Sequence, residues 1–155
     1  MWLLVLAAPA AGQPRDQSGL DATVWMQTAA EYHALARQAY RGAEAALDRA
    51  LADPNWTAIL EQTNLSMPLR PAVILDLDET VLDNTPFQAK LVKEGLSYTD
   101  ELWEAWVREK KAGLVPGALE FLLYARLRGV TPIYITNRVC QPESAQDATV
   151  EVLQK

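Results

Sequence analysis

The chain has 155 residues, half of them hydrophobic, which suits one domain with a sizeable core. Twenty acidic residues against 14 basic ones leave a net charge of -6 with no Lys/Arg cluster, which excludes a nucleic-acid polymer or an anionic membrane surface as partner. The single cysteine, Cys140, excludes an internal disulfide and a thiolate metal cluster.

Residues 1–12 form an apolar run that ends in small residues, with Ala8 and Ala10 at a cleavage-like spacing. This resembles the second half of an export signal without its basic opening, and it predicts a periplasmic or secreted protein. The run is too short to cross a bilayer, no other run approaches about 18 apolar residues, and no stable membrane anchor is evident. Residues 13–70 read as an N-terminal helical region. Within it Trp25, Ala29, Tyr32, Ala36, Ala39, Ala43, Ala46 and Ala50 recur at three- and four-residue steps, predicting one helix from Asp21 to Asp53-Pro54. Its stripe is small and alanine-rich, which favours close packing; His33 and the two tyrosines are read as packing or surface residues.

Residues 71–155 read as an α/β core. Ala72-Val-Ile-Leu-Asp76 is an uninterrupted apolar run after a proline, the pattern of a strand buried on both faces of a parallel sheet. Thr131-Pro-Ile-Tyr-Ile-Thr136 is a second such run. The stretch between them exceeds what a simple crossover helix needs, so residues from about 86 to 115 are predicted to be a helical insert. Thr99 caps one insert helix that carries Trp103, Trp106 and Val107 on one face, and Gly113 stops it. The returning helix has Pro116 in its first turn, Leu119, Leu122 and Leu123 on its apolar stripe, and Gly129 as its stop. A last helix begins at Pro142.

The chemistry concentrates where the first apolar run ends, at Asp76-Leu-Asp78. In an extended chain, side chains two residues apart point to the same side, so both carboxylates face one small volume beyond the carboxyl end of a strand. Two like charges that close require a cation between them, or a proton on one. The pair therefore implies Mg²⁺, acid/base work, or both, because a hard cation with oxygen ligands lets a substrate phosphate complete its shell. Asp76 is placed to attack phosphorus and Asp78 to move the proton. Thr136, at the end of the second strand, and the Asn137 backbone N–H are placed to hold phosphoryl oxygens, with Arg138 near.

These residues carry a resemblance. Asp76-Leu-Asp-Glu-Thr-Val-Leu-Asp-Asn84, Thr136-Asn-Arg138, Pro116-Gly-Ala-Leu-Glu-Phe-Leu122 and Glu31-Tyr-His-Ala-Leu-Ala-Arg-Gln-Ala-Tyr40 together resemble subfamily IIIB of the haloacid dehalogenase (HAD) superfamily. Within it the chain is most similar to the class C bacterial acid phosphatases, over roughly residues 21–155. The resemblance implies a HAD-like Rossmannoid parallel sheet with a helical cap, Mg²⁺, and hydrolysis of small phosphomonoesters, nucleoside 5′-monophosphates among them. It implies Asp76 as nucleophile and metal ligand, and Asp78 as acid/base that gives the metal its backbone carbonyl. Thr136 and Asn137 match the phosphate-binding motif, and Trp103 is the cap aromatic for stacking a substrate base, with Trp106 and Phe87 behind it.

The family's later lysine and second acidic pair have no counterpart before Lys155. The expectation is therefore a C-terminally truncated chain with an incomplete core and weak or absent turnover, with a homo-oligomer left open. A non-catalytic nucleotide- or phosphate-binding or storage protein on the same scaffold is the alternative.

Overall fold

The computed structural model describes residues 19–59, 61–62, 69–139 and 145–154. The signal-like segment 1–12, Cys140 and the Pro142 start of the last helix lie outside the described residues. The elements in chain order are α1 (Leu20–Thr28), α2 (Ala30–Ala52), β1 (Ala72–Leu75), β2 (Leu82–Asp83), α3 (Thr85–Glu94), α4 (Asp100–Glu109), β3 (Gly113–Leu114), α5 (Ala118–Leu127), β4 (Thr131–Tyr134) and α6 (Ala145–Leu153).

Both apolar runs form strands and pair in parallel, with Ile74 opposite Ile133 and Leu75 opposite Tyr134. The pairing continues past the strand end, where Ile135 N–H donates to Leu75 O at 2.9 Å. The crossover from β1 to β4 contains the insert and α5, so the chain is an α/β protein with a parallel sheet, as a HAD-like fold requires. Two strands cannot cover both of their own faces. One face packs inward, with Leu75 and Tyr134 against buried Leu77, Val81 and Leu82. The other is open, with Ile74 53%, Ile133 45% and Ile135 60% exposed. Burial on both faces, expected from the apolar runs, does not hold among the described residues.

The N-terminal helix is broken in two. Ala29 is extended (φ -82°, ψ 124°), and it ends α1 while opening α2. No proline or glycine marks the break, which is why the alanine periodicity runs through it. Asp21 lies in the first turn of α1, and Gly19 is the cap.

The insert begins with α3 and α4. As the sequence predicts, Thr99 caps α4, its Oγ1 accepting from Leu102 N–H at 3.3 Å. The helix stops at Lys110 in the left-handed region (φ 55°), not at Gly113, which instead pairs with Asp83 in a short antiparallel ladder of β2 and β3. Phe87 and Leu91 of α3 pack with Trp106 and Val107 of α4 and with Ala148 of α6. Burying a side chain the size of Phe87 contributes about 1.5–3 kcal/mol.

Gly117 precedes α5 at φ 94°, and a Cβ there would meet Tyr40 Cδ2 at 3.0 Å and the Arg37 Cα at 3.2 Å. Only glycine allows both that dihedral and this approach of α2. At the other end of α5, Gly129 (φ 73°) closes the helix: Gly129 N–H donates to Arg126 O and Val130 N–H to Ala125 O, each at 3.0 Å. Asp48 of α2 fastens the two helices further, accepting from Tyr124 Oη at 2.6 Å and Arg128 Nη1 at 2.5 Å.

Candidate active site

Beyond β1 the chain folds back at once. Leu77 O accepts from the N–H groups of Val81 and Leu82, each at 2.8 Å, and Leu77, Val81 and Leu82 are all buried. Glu79 takes a left-handed conformation (φ 57°) so that its N–H reaches Leu82 O at 2.8 Å. From behind, the Tyr40 hydroxyl of α2 donates to Thr80 O at 2.5 Å. A tight plug of apolar side chains thus anchors the loop, and the residues on either side of Leu77 are turned outward.

Asp76 and Asp78 consequently line one cleft of about 460 Å³, together with Glu79, Tyr98, Trp103, Asn137 and Arg138. The two carboxylates are held very differently. Asp76 is exposed and has no hydrogen-bond or ion-pair partner among the described residues. Asp78 is clamped. Its Oδ1 accepts three N–H groups, from Asn84 Nδ2 at 2.9 Å, Arg138 Nη2 at 2.6 Å and Arg138 Nε at 3.1 Å, while Oδ2 shares only that Nε–H at 3.1 Å. The Arg138 side chain is 5% exposed and that of Asp78 23%, so this charge-assisted pair is screened far less than a surface salt bridge.

Arg138 is aimed by its own turn. Thr136 Oγ1 accepts from the Arg138 backbone N–H at 3.2 Å, the local side-chain-to-backbone bond that threonine favours at a strand end. The guanidinium then lies 5.4 Å from the Trp103 ring centroid, and its Nη1 donates to Thr149 Oγ1 of α6 at 2.9 Å. Glu79 is still partly open to solvent, yet desolvation by surrounding protein pushes its carboxyl up. Hydrogen bonds from Asn84 oppose that rise, and the charges of Asp78 and Asp83 add to it.

Of the residues singled out in the sequence, Asp76, Asp78, Asn137 and Trp103 line the cleft, and Thr136 does not; its hydroxyl oxygen accepts from the Arg138 backbone N–H. Trp103 is half-buried and packs 5.4 Å from Phe87, and Tyr98 lies 6.4 Å away, ring centroid to centroid. Trp106 is not at the cleft; it is buried, and its indole N–H donates to Asn84 Oδ1 at 2.9 Å. Sequence reasoning did not find Asn84, Glu79, Tyr98 or the Arg138–Asp78 pair. Asn84 lies inside the quoted motif, but nothing in residue spacing shows that an amide 22 residues before a tryptophan will meet it.

No cluster of three or more His, Cys, Asp or Glu suited to a metal occurs among the described residues. The donors that are present nevertheless suit Mg²⁺, which binds through one or two carboxylates and completes its shell with water and substrate oxygens. Asp76 supplies an uncommitted carboxylate at the cleft.

A profile of the HAD superfamily, subfamily IIIB (Acid phosphatase), matches residues 13–155. The chain belongs to that subfamily. Among solved structures it is similar to the class C acid phosphatase from Bacillus anthracis, in a form with tungstate bound and in one described without it. Each is 38% identical with a TM-score of 0.74, over 89% of this chain and 52% of that one. The chain therefore spans about half the length of these class C acid phosphatases. No helix among the described residues is long and apolar enough to cross a membrane.

Proposed function

We propose that this chain carries the nucleophile half of a Mg²⁺-dependent acid phosphatase that hydrolyses small phosphomonoesters, nucleoside 5′-monophosphates among them, through an aspartyl-phosphate. The observation that carries the reading is the pairing of a free carboxylate, Asp76, with a clamped one, Asp78, at the mouth of one cleft. The subfamily match supports it, as does the tungstate bound by the Bacillus anthracis enzyme, since tungstate is a tetrahedral oxyanion like phosphate.

Asp76 and the Asp78 backbone carbonyl would hold Mg²⁺, which when bound neutralises phosphoryl charge and orients the group. Asp76 attacks phosphorus, forming a P–O bond as the P–O bond to the alcohol breaks, and Asp78 delivers its proton to the leaving oxygen. In the second half Asp78 takes a proton from water, the water oxygen bonds to phosphorus, and phosphate leaves Asp76 regenerated. Oδ2 of Asp78 is the oxygen fitted to carry that proton, because Oδ1 already accepts three N–H groups. Thr136 accepts a hydrogen bond and keeps its own O–H to donate to a phosphoryl oxygen, beside the Asn137 N–H. Trp103, in the wall of the cleft, offers a face to the base of a nucleotide.

In this reading residues 71–155 form part of the core, with the insert at about 86–115 as its cap. The first twelve residues direct export to the periplasm or the medium. Hydrolysis of p-nitrophenyl phosphate with Mg²⁺ tests the chemistry, run with enzyme in excess so that a slow rate is still read. Asp76→Asn is expected to lower the rate by about 10³-fold or more, and chelation with EDTA to abolish it. A rate indifferent to Asp76→Asn overturns the reading.

A further inference from the structure

Asn84 is fully buried, at 0% exposure, and both ends of its amide are engaged. Its Oδ1 accepts from Trp106 Nε1 at 2.9 Å, and its Nδ2 donates to Asp78 Oδ1 at 2.9 Å, with Glu79 a second carboxylate bonded by the same side chain. Oxygen and nitrogen of an amide are interchangeable in shape, and the chemistry decides between them. An indole N–H can only donate, so the amide oxygen must face Trp106, which obliges the NH₂ group to face Asp78.

The cap helix α4 therefore dictates, through one buried amide, what the Asp78 carboxylate receives. We propose that Asn84 is a positioning residue for Asp78 and that Trp106 sets its orientation, so that the cap and the proton-transfer carboxylate form one hydrogen-bonded unit. The proposal deepens the phosphatase reading and rests on it for its catalytic consequence. A buried amide that served stability alone could end on any acceptor in the core. This one ends on a carboxylate that lines the cleft, yet Asn84 itself does not line it. Its removal should therefore touch the chemical step and spare substrate binding.

Two arms of one experiment test this on the full chain. In the kinetic arm, Asn84→Asp keeps the size of the residue and its acceptor for Trp106 but loses the donor to Asp78. It and Asn84→Ala are expected to lower kcat for p-nitrophenyl phosphate by about 10- to 100-fold with KM within about twofold, the pattern of a misaligned reacting group. Trp106→Phe, which frees the amide to turn, should lower kcat by about 3- to 10-fold, and in combination with Asn84→Ala it should add nothing further. A kcat for Asn84→Asp within about twofold of the parent, a loss carried by KM, or effects of Trp106→Phe and Asn84→Ala that multiply would overturn the proposal.

The second arm follows the Trp106 indole N–H resonance by NMR and needs no turnover. Replacing Asp78, to which Trp106 makes no hydrogen bond, by alanine is expected to move that resonance, because the amide between them loses one of its two carboxylate partners. A resonance that stays in place overturns the coupling. The shift in a chain with no measurable hydrolysis leaves the hydrogen-bonded unit standing whatever becomes of the phosphatase reading, whose own test is Asp76→Asn.

Discussion

The cap side and the sheet side of the cleft are built to different standards. On the cap side Phe87, Leu91, Trp106 and Val107 make a closed aromatic and aliphatic cluster, and polar groups continue from it into the Asn84–Asp78–Arg138–Thr149 chain. On the sheet side two strands leave Ile74, Ile133 and Ile135 open, and Asp76 emerges from them with a free carboxylate. The contrast teaches that rigidity here is placed around Asp78, to which the proposed mechanism gives the proton transfer, while Asp76, its proposed nucleophile, is left uncommitted.

Damage should accordingly be costly on the cap side and cheap on the sheet side. The largest effect is expected for Trp106→Ala, which leaves a cavity in the cluster and removes the partner of Asn84; it should cost about 3–5 kcal/mol in urea unfolding. Arg138→Met strands the Asp78 carboxylate in a partly buried place and should cost about 2–4 kcal/mol, measured in the same way. Tyr40→Phe deletes one neutral hydrogen bond, to Thr80 O, and is expected to cost about 1 kcal/mol.

Smaller again is Glu79→Gln, which is read by its sign. A carboxyl whose folded pKa is raised stabilises the fold below its unfolded pKa, and that contribution is lost as pH rises through the folded value. The variant should therefore melt higher than the parent at pH 7, and the advantage should vanish on acidification below the ordinary carboxyl value of 4.5. Least of all, Ile74→Thr on the bare face should change stability by no more than about 0.5 kcal/mol. A cost of several kcal/mol at Ile74 would erase the comparison, since it would mean that this face is covered in solution.

What the sequence disclosed follows the range over which each signal acts. The parallel pair and the shared cleft of Asp76 and Asp78 were legible, because apolar runs and two-residue alternation are local properties of the chain. Thr99 as a cap and Gly129 as a stop were legible for the same reason. The break at Ala29 was not, as no residue there refuses a helix, and Lys110 ended α4 in a conformation that lysine seldom adopts. The two-residue strands Leu82–Asp83 and Gly113–Leu114 are too short to show any period. The open sheet face was illegible in principle, since an apolar strand spells the same letters whether or not something lies on it. Family resemblance drew attention to Trp103 and placed Trp106 behind it, but only coordinates joined Trp106 to Asn84.

At position 117 a lone hydrogen works as a feeler gauge between two helices. Anything larger would lift Tyr40 away from α5, and the phenol that steadies the Thr80 carbonyl rides on that same ring. A methyl group added just before α5 would thus be felt two residues from Asp78. The reach of the cleft extends, by this mechanical route, to a glycine that no chemist would suspect from its own inertness.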